Sequence, residues 1–224
     1  MNPNQFNQAV ARPQVAGVEV NKVLKNTYAL LSLTLLFCAA VAGLSMAFNW
    51  PHPGMILTLV GYFGLLFLTA RFRNSALGLL CVFALTGFMG LTLGPIIGHY
   101  VSVMPNGHQL VMTAMGGTGV IFLGLSGYAL VSRKDFSIMA GFLFAGILVA
   151  FLAGLGAAIF QIPALALAVS AMFVLLMSGL ILYETSQIIH GGETNYIMAT
   201  VTLFVAIYNL FLSLLHLLGI FGDE

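Results

Sequence analysis

The chain has 224 residues, of which 60% are hydrophobic and only 6% charged, with a mean hydropathy of +1.06 and a formal net charge of +1. A soluble domain carries about 25% charged residues, so this chain could not cover its own surface in water and reads as a polytopic membrane protein. The near-zero charge also excludes a nucleic-acid partner, because no basic patch is present to neutralise phosphates.

Residues 1–26 are rich in Asn, Gln and Pro and lack a sustained apolar period. The expectation is a disordered tail that turns helical near Val18 as it approaches the bilayer. The first apolar run, over 28–48, is long enough to span. Ala40-Val41-Ala42 resembles a signal-peptidase site, but the apolar run continues past it, so an uncleaved span is expected. Asn49 to Pro53 form a tight turn with an interfacial Trp50. A second span follows over 54–70, closed by Arg71 and Arg73. The third covers 76–100, where Gly94-Pro95 predicts a weakened or kinked helix. A fourth span, 110–131, ends at Arg133-Lys134-Asp135. The fifth, 138–160, and the sixth, 164–189, are separated by the short turn at Gln161 to Pro163. Residues 190–194 form the hairpin into the seventh span, 195–221, and residues 222–224 are left as a short C-terminus. Cys38 and Cys81 both lie in apolar runs without nearby ligands, which predicts packing residues rather than a disulfide or metal pair.

Seven spans alternate the loops between two sides, and all 7 basic residues then fall on the side of the N-terminus. They are Arg12, Lys22, Lys25, Arg71, Arg73, Arg133 and Lys134. The positive-inside rule predicts a cytoplasmic N-terminus and an outer C-terminus. Gly90, Gly94 and Gly98 recur every four residues in the third span, as do Gly146, Ala150, Gly154 and Ala158 in the fifth. Such stripes can line a pore; close helix packing is the favoured reading.

The seventh span carries a seam of small or polar residues at helical spacing. Asn195, Ala199, Thr202, Ala206, Asn209, Ser213 and His216 alternate steps of four and three along one face. Polar groups in lipid must point at protein or water, so this helix is expected inside the bundle, with the others around it. His216 and Asn209 read as interhelical hydrogen-bond partners. Glu184 stands near the inner end of the sixth span, at the level of Arg71 and Arg73. It reads either as half of a structural ion pair with Arg71 or Arg73, or as a proton- or ion-sensing group. His190 and Glu193 are too few to hold a metal. No motif joins a nucleophile, base and oxyanion donor, so neither a catalytic residue nor a cofactor is expected, and the chain reads as a non-enzyme.

At Gly94-Pro95, at Tyr183 to His190 (YETSQIIH) and at Leu203 to Phe211 (LFVAIYNLF), the chain resembles the Bax inhibitor family of seven-span membrane proteins. The resemblance covers essentially every span and is most specific in the last two. It implies an all-α fold with the seventh helix central within the other six. Residues 56–61, 133–135 and 191–211 are similar to members that modulate the membrane-anchored ATP-dependent protease FtsH. That similarity implies an inner-membrane protein that binds and restrains FtsH, which would grip the N-terminal tail. The alternative is a pH-sensitive cation leak. Calcium-leak members pair an acid in the sixth span with an Asp in the seventh, and an Arg from the second span competes for them. Glu184 matches the first acid and Arg71 the Arg, but the second acid falls on Ala206. Calcium commonly takes more than one carboxylate, so the leak is not the favoured reading.

Overall fold

The computed structural model describes residues 3–221, with side chains from 19 to 220. Runs of Leu, Phe, Ala and Val bounded by Gly, Pro, Asn and Arg become α1 (Pro3–Ala47), α2 (Met55–Phe72), α3 (Ala76–Val103), α4 (Gly107–Ser132), α5 (Ala140–Phe160), α6 (Pro163–His190) and α7 (Tyr196–Phe221). A 3-10 turn, Ser137–Met139, leads into α5. All seven helices are long and apolar enough to cross a membrane. The expected spans are therefore present, the second to seventh with ends within a few residues and the first inside a helix that starts well before 28.

Where a disordered tail over residues 1–26 was expected, α1 is helical from Pro3. Residues 222–224 lie outside the described residues. The turns after α4 and α5 carry Arg133 at φ 50° and Gln161 at φ 52°. This left-handed residue closes each helix with a backbone hydrogen bond, from Arg133 N–H to the Ala129 carbonyl in one case.

Of the seven, α7 is the most enclosed, with 56% of its apolar window buried, against 6% for α2 and 11% for α5. Its main packing partners are α1, α3, α4 and α6. The expected central seventh helix is thus present, but four helices flank it closely. The remaining two stand outside, α2 against α3 and α5 against α6. Ala199, Leu203, Phe204, Ala206 and Leu210 of α7 are almost fully buried.

Gly94-Pro95 does not break α3, which runs through Pro95 without interruption. A proline lacks the N–H that would bond the carbonyl four residues back, here Leu91. Ser45 of α1 takes over that role, its hydroxyl donating to the Leu91 carbonyl at 3.0 Å. In a lipid-embedded helix this is how a freed carbonyl is satisfied. The same place explains Gly94: a Cβ there would lie 2.6 Å from Ser45 Cβ and 2.7 Å from the Ala42 carbonyl. Gly90 meets the Cys38 carbonyl at 2.5 Å in the same way. Here the glycine stripe is a packing surface for α1. In α5 the stripe faces α6 at Gly146, Ala150 and Gly154, but the next buried residue is Ala157, while Ala158 is exposed. At 3.6 residues per turn a strict step of four drifts off the contact. Cys38 and Cys81 are free thiols, the first buried and the second partly so.

Candidate functional site

One end of the bundle gathers the α2–α3, α4–α5 and α6–α7 connections. Asn195 ties the first to the last: its Nδ2 donates to the Arg73 carbonyl at 3.1 Å and to Asn74 Oδ1 at 2.8 Å. Its Oδ1 accepts from the backbone N–H of Ile197 and Met198. Asn195 is therefore the N-cap of α7, a role its place at the head of the polar seam did not reveal. Glu193 Oε1 in turn accepts from the Asn195 N–H at 2.7 Å. His190 Nε2 lies 3.1 Å from the Arg133 carbonyl, and Ser186 Oγ donates to the Lys134 carbonyl at 3.1 Å while accepting from Phe136 N–H. In that α4–α5 connection Asp135 accepts from the Ser137 N–H at 2.8 Å, and this bond holds its carboxyl below the usual carboxylate value.

Just inside this end, α6 presents Met177, Ile181, Glu184 and Ile188 on one buried face, at helical spacing. Glu184 is 6% exposed, and its Oε1 has no hydrogen-bond partner among the described residues. The expected ion pair with Arg71 is not formed. Arg71 is exposed and lies near the Phe72 ring, its Cζ 5.9 Å from the centroid. The reason is helix placement: α2 packs on α3 at the edge, so its terminal Arg side chains do not reach the core of α6. Arg73 is also exposed and contributes its carbonyl to Asn195 instead. Among the described residues, no three His, Cys, Asp or Glu side chains come together in a way that could hold a metal ion.

Next to Glu184, Thr185 and Ser186 are fully buried. Thr185 Oγ1 lies 3.4 Å from both Tyr28 Oη on α1 and Ser126 Oγ on α4. On α7, Thr200 Oγ1 donates to the Tyr196 and Thr27 carbonyls. The Glu-Thr-Ser triplet thus joins α6 to α1, α4 and the α4–α5 turn. Sequence reasoning weighed only its acid; the two hydroxyls beside it were the signal available.

The rest of the α7 seam divides. Ala199 and Ala206 are fully buried, Ala206 in one cluster with Ile181, Met177 and Leu210. Ile181 precedes Glu184 by three residues, about 4.5 Å of helix rise, so Ala206 stands about one turn deeper than the acid. Thr202 is half-buried and Ser213 buried. Asn209 Nδ2 donates back to the Val205 carbonyl at 2.8 Å, within its own helix rather than across to another among the described residues. His216 does bridge, with Nδ1 2.7 Å from Ser170 Oγ of α6. Another link was missed altogether: Tyr208 Oη lies 3.2 Å from Thr92 Oγ1 and donates to the Met89 carbonyl at 3.4 Å, fastening α7 to α3.

These features define an all-α, seven-span membrane protein with an unpaired acid on a buried face of its sixth helix and a hydrogen-bonded collar at one end. The family model described as "Inhibitor of apoptosis-promoting Bax1" matches residues 20–223, and the chain belongs to that Bax inhibitor family. It is 53% identical over 203 residues to the Modulator of FtsH protease YccA of Escherichia coli, covering 90% of this chain and 91% of the relative. An uncharacterized protein of Pseudomonas aeruginosa is 52% identical over 98% of this chain and 97% of its own. An uncharacterized membrane protein of Vibrio cholerae is 44% identical over 92% and 93%. None of these names describes an enzyme.

Proposed function

We propose that the chain is a bacterial inner-membrane modulator of the FtsH protease, acting as a slowly processed or blocking substrate. The observation that carries this reading is the 53% identity, over nearly the whole of both chains, to a protein named for that activity. The architecture supports it in two ways. Five of the seven spans, α1, α3, α4, α6 and α7, are joined by polar contacts within the bundle, which would resist extraction. Residues 1–26, rich in Asn, Gln and Pro, precede the first sustained apolar run of the sequence and offer a polar segment for an ATP-driven protease to engage. Arg71, Arg73, Arg133 and Lys134 lie at the collar end, which supports a cytoplasmic N-terminus and a C-terminus on the other side. On this reading the protein resists after being engaged, and so occupies the protease. Affinity purification of the tagged protein from solubilised membranes tests it: FtsH should co-purify. Deleting residues 2–18 should slow the protein's own turnover. Absence of FtsH from the eluate, with unchanged turnover of the truncated protein, contradicts it.

A cation leak is the second reading, favoured by one observation, the orphaned Glu184 oxygen within a span. Against it stands Ala206, which places a methyl group among apolar side chains where a second acid would be needed. Vesicles holding the native protein should show negligible calcium flux; robust flux abolished by Glu184→Gln would promote this reading.

A further inference from the structure

At the opposite half of the bundle from the collar, a cavity of about 510 Å³ opens among α2, α3, α5, α6 and α7. Its volume lies in the range of small-molecule sites, about 300–1,000 Å³. It runs from His52, in the α1–α2 turn, to Met177 and Val205 near the middle of α6 and α7. The helices on either side of its mouth, α2 and α5, have their main packing partners elsewhere, on α3 and α6. They touch through Phe63, edge-on to Phe151 with ring centroids 5.6 Å apart. A seam between lipid-facing helices that meet at these two rings gives molecules dissolved in the bilayer a lateral way in.

The chemistry of the walls is one-sided. Most of the lining is hydrocarbon; of the polar groups among it, Tyr208 and Thr92 are bonded to each other and Asn209 Nδ2 is bonded to the Val205 carbonyl, with Tyr62 the fourth. A hydrated ion would find scattered neutral groups and no carboxylate along these walls. At the mouth the situation differs. The Gly54 N–H donates to His52 Nδ1 at 3.0 Å, so the neutral ring carries its proton on Nε2 and offers it outward. One turn into α2, Thr58 lines the cavity; its Oγ1 is buried and lacks a partner among the described residues, and rotation about Cα–Cβ would turn that hydroxyl onto the cavity wall. Buried hydroxyls normally find a partner. Two donors at one end of an apolar slot, at the surface end of a membrane span, suit a ligand with acceptor oxygens on one long chain.

We propose that this cavity binds a single long-chain fatty acid, its carboxylate at His52 and Thr58 and its chain reaching toward Met177 and Val205. The test uses the full-length protein in phosphatidylcholine nanodiscs with palmitic acid bearing a diazirine near the chain end. Photolabelling should fall on cavity-lining peptides of α5 and α6. Leu148 lines the cavity and is half-exposed, so Leu148→Trp can fill the slot from its edge and should cut labelling about fivefold or more. Leu152→Trp, one turn along at an exposed site that does not line the cavity, should leave labelling unchanged. Thr58→Val keeps the shape and removes the donor, so palmitate labelling should weaken about two- to tenfold. Equal labelling of exposed α4 positions such as Val120 and Leu123 would overturn the proposal, as would indifference to both Leu148→Trp and Thr58→Val. Labelling by a diazirine phosphatidylcholine as strong as that by palmitate would overturn it too, by assigning the slot to bulk lipid tails.

Discussion

The contact between α1 and α3 makes a sharp demand on two glycines of one stripe. An Ala at position 94 would place its Cβ 2.6 Å from Ser45 Cβ, which is 0.8 Å short of the 3.4 Å at which ordinary contact begins. The second clash, 2.7 Å to the Ala42 carbonyl, is with backbone, so no side-chain rotation relieves it. α1 must retreat, and the Ser45 hydroxyl then leaves the Leu91 carbonyl without a donor. Overpacking of this kind costs about 1–3 kcal/mol, and a buried interhelical hydrogen bond in a membrane about 0.6 kcal/mol more. Gly94→Ala should therefore lower stability by about 2–3 kcal/mol. Gly98→Ala is the internal control, because its Cβ would meet Met46 Cγ at 3.6 Å, an ordinary contact. That change should stay within about 0.5 kcal/mol of the parent. Reversible unfolding in mixed micelles, followed by circular dichroism, measures both. Equal stability of the two variants would refute the idea that Gly94 and Ser45 together carry α3 through its proline.

Three further expectations concern the collar and its acid. Because Arg71 is exposed and unpaired with Glu184, a double-mutant cycle of Arg71→Ala and Glu184→Gln should give a coupling energy below about 0.5 kcal/mol; a coupling well above this would restore the ion pair. Asn195→Ala removes an N-cap and two bonds to the α2–α3 connection, so a loss of about 1–3 kcal/mol is expected by the same unfolding assay, and a loss no larger than that of a surface substitution would count against it. Asp135 has its folded pKa lowered from 3.8, chiefly by the Ser137 backbone bond, so the order it lends the α4–α5 turn is present above pH 3.8 and is lost as pH falls through the lower folded value. Asp135→Asn should abolish that acid-side change in hydrogen exchange at Ser137, and its persistence would assign it to another group.

The spans were legible because lipid imposes a single rule: every backbone polar group is satisfied inside a long apolar helix. The basic residues told which loops share an end, and the structure joins those loops through Asn195, His190 and Ser186. The enclosure of α7 was readable from its seam, and so was the packing role of Gly90 and Gly94. Partnerships were not readable. Nothing in the sequence shows that Ser45 answers Pro95, 50 positions away in the numbering and in another helix. Nor does it show that Arg71, level with Glu184 along the bundle, lies too far around the rim to reach it. Axial position follows from helix rise, whereas azimuth depends on which helices pack together. The Tyr208–Thr92 link was hidden for the same reason, since an aromatic off the polar seam gave no hint of its partner on α3.

The central claim, that this chain restrains FtsH, is tested most directly by a rate. FtsH reconstituted in proteoliposomes with a labelled membrane substrate should degrade it more slowly as the protein is added, and the slowing should saturate. Relief of that slowing when residues 2–18 are removed would mean that the tail holds the protease, whereas stronger inhibition would mean that the folded bundle does. A degradation rate unchanged at saturating amounts of the intact protein would contradict the account.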